Sequence, residues 1–172
     1  MTFSVLDAPT AVAVGQKAPA SKSPTVADVG GDVTKISTDA HPDPAFYQMS
    51  VADALAAHKP FMLIFATPKF CQTAQCGPTL DLFKPIAAAH PDVAFINVEP
   101  YKLQDVDGQL QPVLDPNKKN SLIATAVTDE WGLLSEPWIF AVDRGGIVRG
   151  SYELTITDAE LNEILPVITM GG

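Results

Sequence analysis

The stretch PFMLIFATPKFCQTAQCGPTLDLFKPIAAAH (residues 60–90) sets two regular elements on either side of a cysteine pair. Its first part, PFMLIFA (60–66), is a continuous apolar run. Such a run marks a strand covered on both faces, because a half-solvated strand would alternate. Its last part, PTLDLFKPIAAAH (78–90), reads as a helix. Pro78 fits the first turn, where its missing N–H has no partner to lose, and Pro85 is expected to kink the helix. Between them lie the two cysteines of the chain, Cys71 and Cys76. In an intact helix, residues five apart are about 8.6 Å apart at Cα, from the rise and radius. A disulfide tolerates about 7 Å at most. The pair can therefore bridge only if residues 71–76 form a loop or the helix start unwinds, and Gly77-Pro78 favours the loop.

Working outward, SVADALAAH (50–58) is a short helix with Ser50 as N-cap. VAFINVE (93–99) is a second buried strand. Residues 100–120 carry Pro, Gly and Asp punctuation and read as a long loop or irregular hairpin. SLIATAVTDEWGL (121–133) contains a helical piece. PWIFAVD (137–143) and IVRGSYE (147–153) are strands joined by the turn RGG as a hairpin. TDAELNEILPVI (157–168) is a helix whose Thr157 and Glu160 make a capping box. Strands separated by helices pair in parallel through right-handed crossovers. The expected fold is α/β, a mixed central sheet of four to five strands with helices on both faces.

Residues 1–45 are rich in Pro, Ala, Gly and Ser and lack a sustained apolar period, so they read as a linker or an extended wrap over a domain at 46–172. TFSV (2–5) alternates like one isolated strand, which is unstable alone; an upstream domain in a longer protein is the expectation, an ordinary mobile terminus the alternative.

With 172 residues and 47% apolar content, the chain can bury a real core. A net charge of −9 argues against nucleic acid or an anionic membrane surface as partner. No apolar run approaches the roughly 20 residues of a spanning helix, and the start lacks the basic flank and apolar block of a signal peptide. As a staple, a Cys71–Cys76 bridge closes a loop worth roughly 2 kcal/mol. As a metal clip, the pair lacks companions, since zinc takes four ligands and His41, His58 and His90 are not placed beside it by sequence. No metal or cofactor is expected. As a redox pair, a thiol at a helix N-terminus has its thiolate stabilised by the dipole and the free amides, and Lys69 adds nearby positive charge.

Element order over residues 46–170, with the pair directly after the first core strand, resembles the thioredoxin-like fold. FMLIFATPKFC is similar to the strand-to-nucleophile segment of bacterial secreted and membrane-anchored thioredoxins. SEPWIFAVDRGGIVRGSYE is similar to the second half of that fold, with WGL before the proline, and VGQKAP (14–19) to the opening of many redoxin domains. The chain departs from the pattern in three ways: the family pair is Cys-x-x-Cys rather than Cys-x4-Cys, Leu63 stands where many thioredoxins carry a buried acid, and VGQKAP is not followed by the usual apolar strand. The resemblance implies a thiol–disulfide oxidoreductase acting on protein or small-molecule thiols and disulfides, in a bacterial cell envelope or outside the cell. By position Cys71 is its nucleophile and Cys76 resolves; CGP (76–78) leaves the reverse assignment open. It further implies that the bond before Pro137 is cis and that Glu136 and Pro137 contact the substrate beside the pair. Copper-carrying relatives add a histidine, for which His90 is the candidate. TPKFCQTAQCG is also similar to the Cys-x4-Cys run of bacterioferritin-comigratory peroxiredoxins, so a thiol peroxidase is the alternative enzyme. That run here has one residue too many between Thr67 and Cys71, and Arg144 and Arg149 fall in a turn and the last strand rather than at the cysteines. A non-catalytic binding domain with an inert bridge is the third reading.

Overall fold

The structure is a computed structural model describing residues 10–118 and 121–171; the strand expected at 2–5 lies outside the described residues. At its centre is β1, Phe61–Phe65, buried along its whole length as its unbroken apolar sequence requires. Helix α2, Cys76–Ala89, carries the chain across to β2, Ala94–Val98, which lies parallel to β1 with Phe61 opposite Ala94 and Phe65 opposite Val98. On the other side of β1 runs β5, Trp138–Val142, antiparallel, with Phe65 opposite Trp138. The tight turn Arg144–Gly146 returns β6, Val148–Glu153, antiparallel to β5. The sheet is mixed, in the order β2-β1-β5-β6.

Alternation along the strands divides the core. Met62, Ile64, Ala66 and Phe95 face α2 and the C-terminal helix α4, Asp158–Met170. Phe61, Leu63, Phe65, Phe140 and Val142 face the short helices α1, Val51–Ala56, and α3, Ala126–Glu130. Helices thus cover both faces. The caps follow the sequence: Ser50 and Thr157 accept from the backbone three residues on, and Asp53 and Glu160 return the bond. Helix α2 continues through Pro85 as far as Ala89.

Between β2 and α3 the chain makes a separate two-stranded hairpin, β3 (Leu103–Val106) and β4 (Gln109–Pro112). Asp107 and Gly108 both have positive φ, 53° and 76°, the turn geometry that an Asp-Gly pair favours. The region read as a loop or irregular hairpin is thus a hairpin followed by isolated bridges.

The Pro- and Ala-rich N-terminal segment is bonded to the domain along its course. Gly15 and Ala18 donate to Val148 and Gly146, Val148 returns a bond to Gln16, and Ala52 donates to Ser21. Three short 3-10 turns follow, Val26–Val29, Val33–Lys35 and Pro44–Tyr47, the last packing Phe46 and Tyr47 against β2. On the opposite face Trp131 anchors the segment. Its indole lies 4.6 Å from the Phe140 ring and donates to the Ser21 hydroxyl, and its carbonyl accepts from Val12.

Gly132, just past α3, has φ of 68°, and a Cβ there would collide with the backbone carbonyl of Thr10. Both the backbone conformation and the close approach require glycine. Gly132→Ala is expected to lose more than about 1 kcal/mol of stability, read as a lower urea midpoint; an unchanged midpoint would refute this packing of the N-terminal segment.

Candidate functional site

The loop from Thr67 to Gln75 leaves the C-terminal end of β1 and enters α2. Cys71 lies before the helix, and Cys76 is its first residue. The two form a disulfide with Cα atoms 6.0 Å apart. The helix therefore begins two residues earlier than Gly77-Pro78 implied. Pro78 still falls within the first turn, where backbone N–H groups have no helical partner.

The local reason for the early start is the sulfur itself. Gln75, in the N-cap position, makes no side-chain capping bond. Instead the backbone N–H of Cys76 donates to Sγ of Cys71 at 3.2 Å, and the Thr73 hydroxyl lies 3.3 Å from the same sulfur. Cys71 thus occupies the place of a capping oxygen at the positive end of a 14-residue helix whose first turn holds no acid. The cysteines differ in access: Cys76 is wholly buried against Ala66 and Leu80, and Cys71 is half-buried. Ala74, between them, adopts φ of 60°, a left-handed conformation uncommon for a residue with a Cβ.

Glu136 and Pro137 pack behind this loop, joined by a cis peptide bond. Glu136 is only 2% exposed. One carboxylate oxygen accepts from the Gln72 N–H at 3.0 Å and the other from the Tyr101 hydroxyl, while its carbonyl accepts from the Thr73 hydroxyl at 3.3 Å. Its polar atoms are thereby turned onto the cysteine loop. Burial raises the Tyr101 phenol above its ordinary range, and the neighbouring carboxylate pushes it the same way. The Pro137 carbonyl accepts from Leu154.

Other sequence candidates sit elsewhere. The Lys69 ammonium donates to Gln109 and Leu110 of the β3–β4 hairpin and lies 5.6 Å from the Phe70 ring centre, so its charge is directed at the hairpin. Arg149 pairs with Asp143 and Arg144 donates to Thr169, both at the end of the sheet opposite the cysteines. His58 faces the Arg144 carbonyl, and His90 closes α2 at its far end. Among the described residues, no group of three or more His, Cys, Asp or Glu side chains comes together as a metal would require.

Sequence reasoning passed over a second buried polar set, at the end of β2. The Glu99 carboxylate is 7% exposed. One of its oxygens accepts from the Thr38 N–H at 2.6 Å and the Thr38 hydroxyl at 2.7 Å. Asn97 donates to the Tyr47 hydroxyl at 2.6 Å, and Tyr47 donates to Ser37. The signal lay in the sequence: Asn97 and Glu99 are polar residues at alternate positions of an otherwise apolar strand, hence on one face. Burial pushes the Glu99 carboxyl up to about 7, although the Thr67 and Thr38 hydroxyls pull the other way.

Compared with known proteins, the chain matches no family model, no curated protein and no solved structure.

The raised Glu99 carboxyl gives a pH dependence of stability. Between the ordinary carboxyl range, about 4.3, and the folded value of about 7, the folded state holds a proton that the unfolded chain has released. Stability therefore falls as pH rises through that window, by about 3 kcal/mol at most. The urea midpoint is expected to drop between pH 5 and pH 8, and Glu99→Gln is expected to flatten this dependence. An equally steep drop in the variant would assign the effect to another group.

Proposed function

We propose that the protein is a thiol–disulfide oxidoreductase of thioredoxin-like architecture, working through Cys71 and Cys76. The observation that carries this reading is the asymmetry of the pair. Cys71 is the accessible sulfur and receives the helix N-terminal amide, while Cys76 lies buried behind it. A reduced Cys71 in that position is stabilised as a thiolate, the nucleophilic form. The reading also draws support from the strand order β2-β1-β5-β6, parallel at β1–β2 and antiparallel at β5, with the disulfide loop at the C-terminal end of β1.

In the reducing direction, the Cys71 thiolate attacks one sulfur of a substrate disulfide. A Cys71–substrate bond forms, the substrate S–S bond breaks, and the departing thiolate takes up a proton. Cys76 then loses its proton and attacks the Cys71 sulfur, which closes the Cys71–Cys76 disulfide and releases the second substrate thiolate. Two electrons pass from the pair to the substrate; the reverse sequence oxidises a dithiol. Glu136, bonded to Gln72 and Thr73, is a positioning residue for the loop, and Pro137 backs it at the sheet end where substrate approaches. Both cation-bearing arginines lie at the other end of the sheet, which weakens the peroxidase reading. Among the described residues, no helix is long and apolar enough to cross a membrane. A standing disulfide fits an oxidising, extracytoplasmic compartment.

The reading is tested with single-cysteine variants. Cys76→Ser is expected to accumulate mixed disulfides with a model protein disulfide, and Cys71→Ser to trap far less. In reduced Cys76→Ser protein, alkylation of Cys71 by iodoacetamide is expected to titrate below the ordinary thiol value of about 8.5. Trapping by Cys71→Ser instead would invert the roles. Rapid hydrogen peroxide turnover without disulfide reduction would replace the oxidoreductase with a peroxidase. Reduced thiols that never react would leave the bridge as an inert staple.

A further inference from the structure

The cysteine loop is held on both sides of Cys71. After Cys71, Glu136 accepts from the Gln72 N–H through its carboxylate and from the Thr73 hydroxyl through its carbonyl. Before Cys71, the partners come from the N-terminal segment. The Lys69 N–H donates to the Thr38 hydroxyl at 3.3 Å. That hydroxyl donates in turn to a Glu99 carboxylate oxygen at 2.7 Å, and the same oxygen accepts from the Thr38 N–H at 2.6 Å. Thr67, wholly buried where the loop leaves β1, has its hydroxyl 3.4 Å from that of Thr38, and its carbonyl accepts from the Phe70 N–H.

The chemistry of this node selects a hydroxyl. The Lys69 N–H needs an acceptor and the Glu99 carboxylate needs a donor, and a hydroxyl is both at once. Valine has the same shape and offers neither; serine offers both. Thr38 is also fixed from its two neighbours. Ser37 is buried and accepts from the Tyr47 hydroxyl and the Asp39 N–H. The Asp39 carboxylate pairs with Lys84 of α2 at 2.9 Å. Residues 37–39 thus bind the segment to α2 and to the turn packed on β2, with Thr38 turned onto the loop.

We propose that Thr38 is a positioning residue for Cys71, which makes the N-terminal segment a working part of the site. This deepens the oxidoreductase reading and rests on it for the reaction served. The effect passes through the helix N-terminus. Sγ of Cys71 receives the Cys76 amide at 3.2 Å while residues 67–70 keep their course. The field that favours a thiolate there falls off within one turn. When the hydroxyl is lost, the Lys69 amide loses its acceptor, the loop loosens ahead of Cys71, and the sulfur sits less well on the Cys76 amide. Its thiolate is then less favoured.

The experiment follows iodoacetamide alkylation of Cys71 against pH in the full chain carrying Cys76→Ser. Thr38→Val, which keeps the backbone bond to Glu99, is expected to raise the midpoint by about half a unit toward the ordinary thiol value and to slow alkylation below the midpoint about threefold. Thr38→Ser is expected to match the parent. Gly132→Ala, which disturbs the segment on the opposite face, is expected to lower stability and leave the midpoint in place, so a shift confined to Thr38→Val is not a general loss of stability. In the unmutated protein the Lys69 amide is expected to exchange slowly with deuterium, which checks the bond without any variant. An unmoved midpoint in Thr38→Val, an equal shift in Thr38→Ser or Gly132→Ala, or a Lys69 amide that exchanges as fast as in an open chain would overturn the positioning role. A protein that reduces no model disulfide, yet whose Cys71 midpoint follows Thr38, would keep that role and retire the oxidoreductase reading.

Discussion

Everything in this molecule is arranged around the complete burial of β1. A strand with apolar side chains on both faces is stable only when a layer covers each face and a strand lies on each edge. Helices α2 and α4 provide one layer; α1, α3 and the Trp131 cluster provide the other. The same constraint delivers the chemistry. The chain must turn out of the core at the C-terminal end of β1 and cross over to build β2, and the cysteine loop is the first part of that crossover. The disulfide therefore sits where the central strand β1 meets the N-terminus of α2, the longest helix among the described residues.

That junction is organised by backbone amides in search of acceptors. The helix lacks a capping side chain at Gln75, and Sγ of Cys71 takes the vacant role for the Cys76 amide. The Gln72 amide takes a carboxylate oxygen of Glu136, whose other oxygen is held by Tyr101. An acidic residue two positions before β5 is here turned inward to order a loop. The loop in turn holds one sulfur accessible and one buried, and that asymmetry distinguishes a nucleophile from a resolving thiol.

The N-terminal segment contributes more than coverage. Ser21 meets the Trp131 indole, Thr38 meets the Glu99 carboxylate, and Ser37 and Tyr47 hold Asn97. Small hydroxyl residues in a sequence of linker-like composition satisfy polar groups on the sheet that would otherwise stand unmatched in the interior. Composition reports the absence of an apolar period. It does not report that the hydroxyls of Ser21, Thr38 and Tyr47 lie opposite buried donors and acceptors 50 to 110 residues away.

The elements themselves were legible because their signals are local. The unbroken run at 61–65, the N-cap at Ser50 and the capping box at Thr157 each depend on neighbours a few residues away. The spacing of Cys71 and Cys76 likewise established, from helix geometry alone, that a bridge cannot lie within an intact helix. The exact start of α2 escaped, because the group that caps Cys76 is a sulfur five residues upstream and no propensity records it. Escaping too were the inward turn of Glu136, the engagement of Lys69 with the hairpin and the partners of Asn97 and Glu99. Each of these is a contact between segments far apart in the chain, set by which strands become neighbours and which faces they share. The sequence by itself determined which segments become strand or helix and that the two cysteines can meet. Only the tertiary structure decided which sulfur faces solvent, which charges are spent on structure and which buried polar groups find partners, because burial and hydrogen-bond satisfaction are properties of the packed chain.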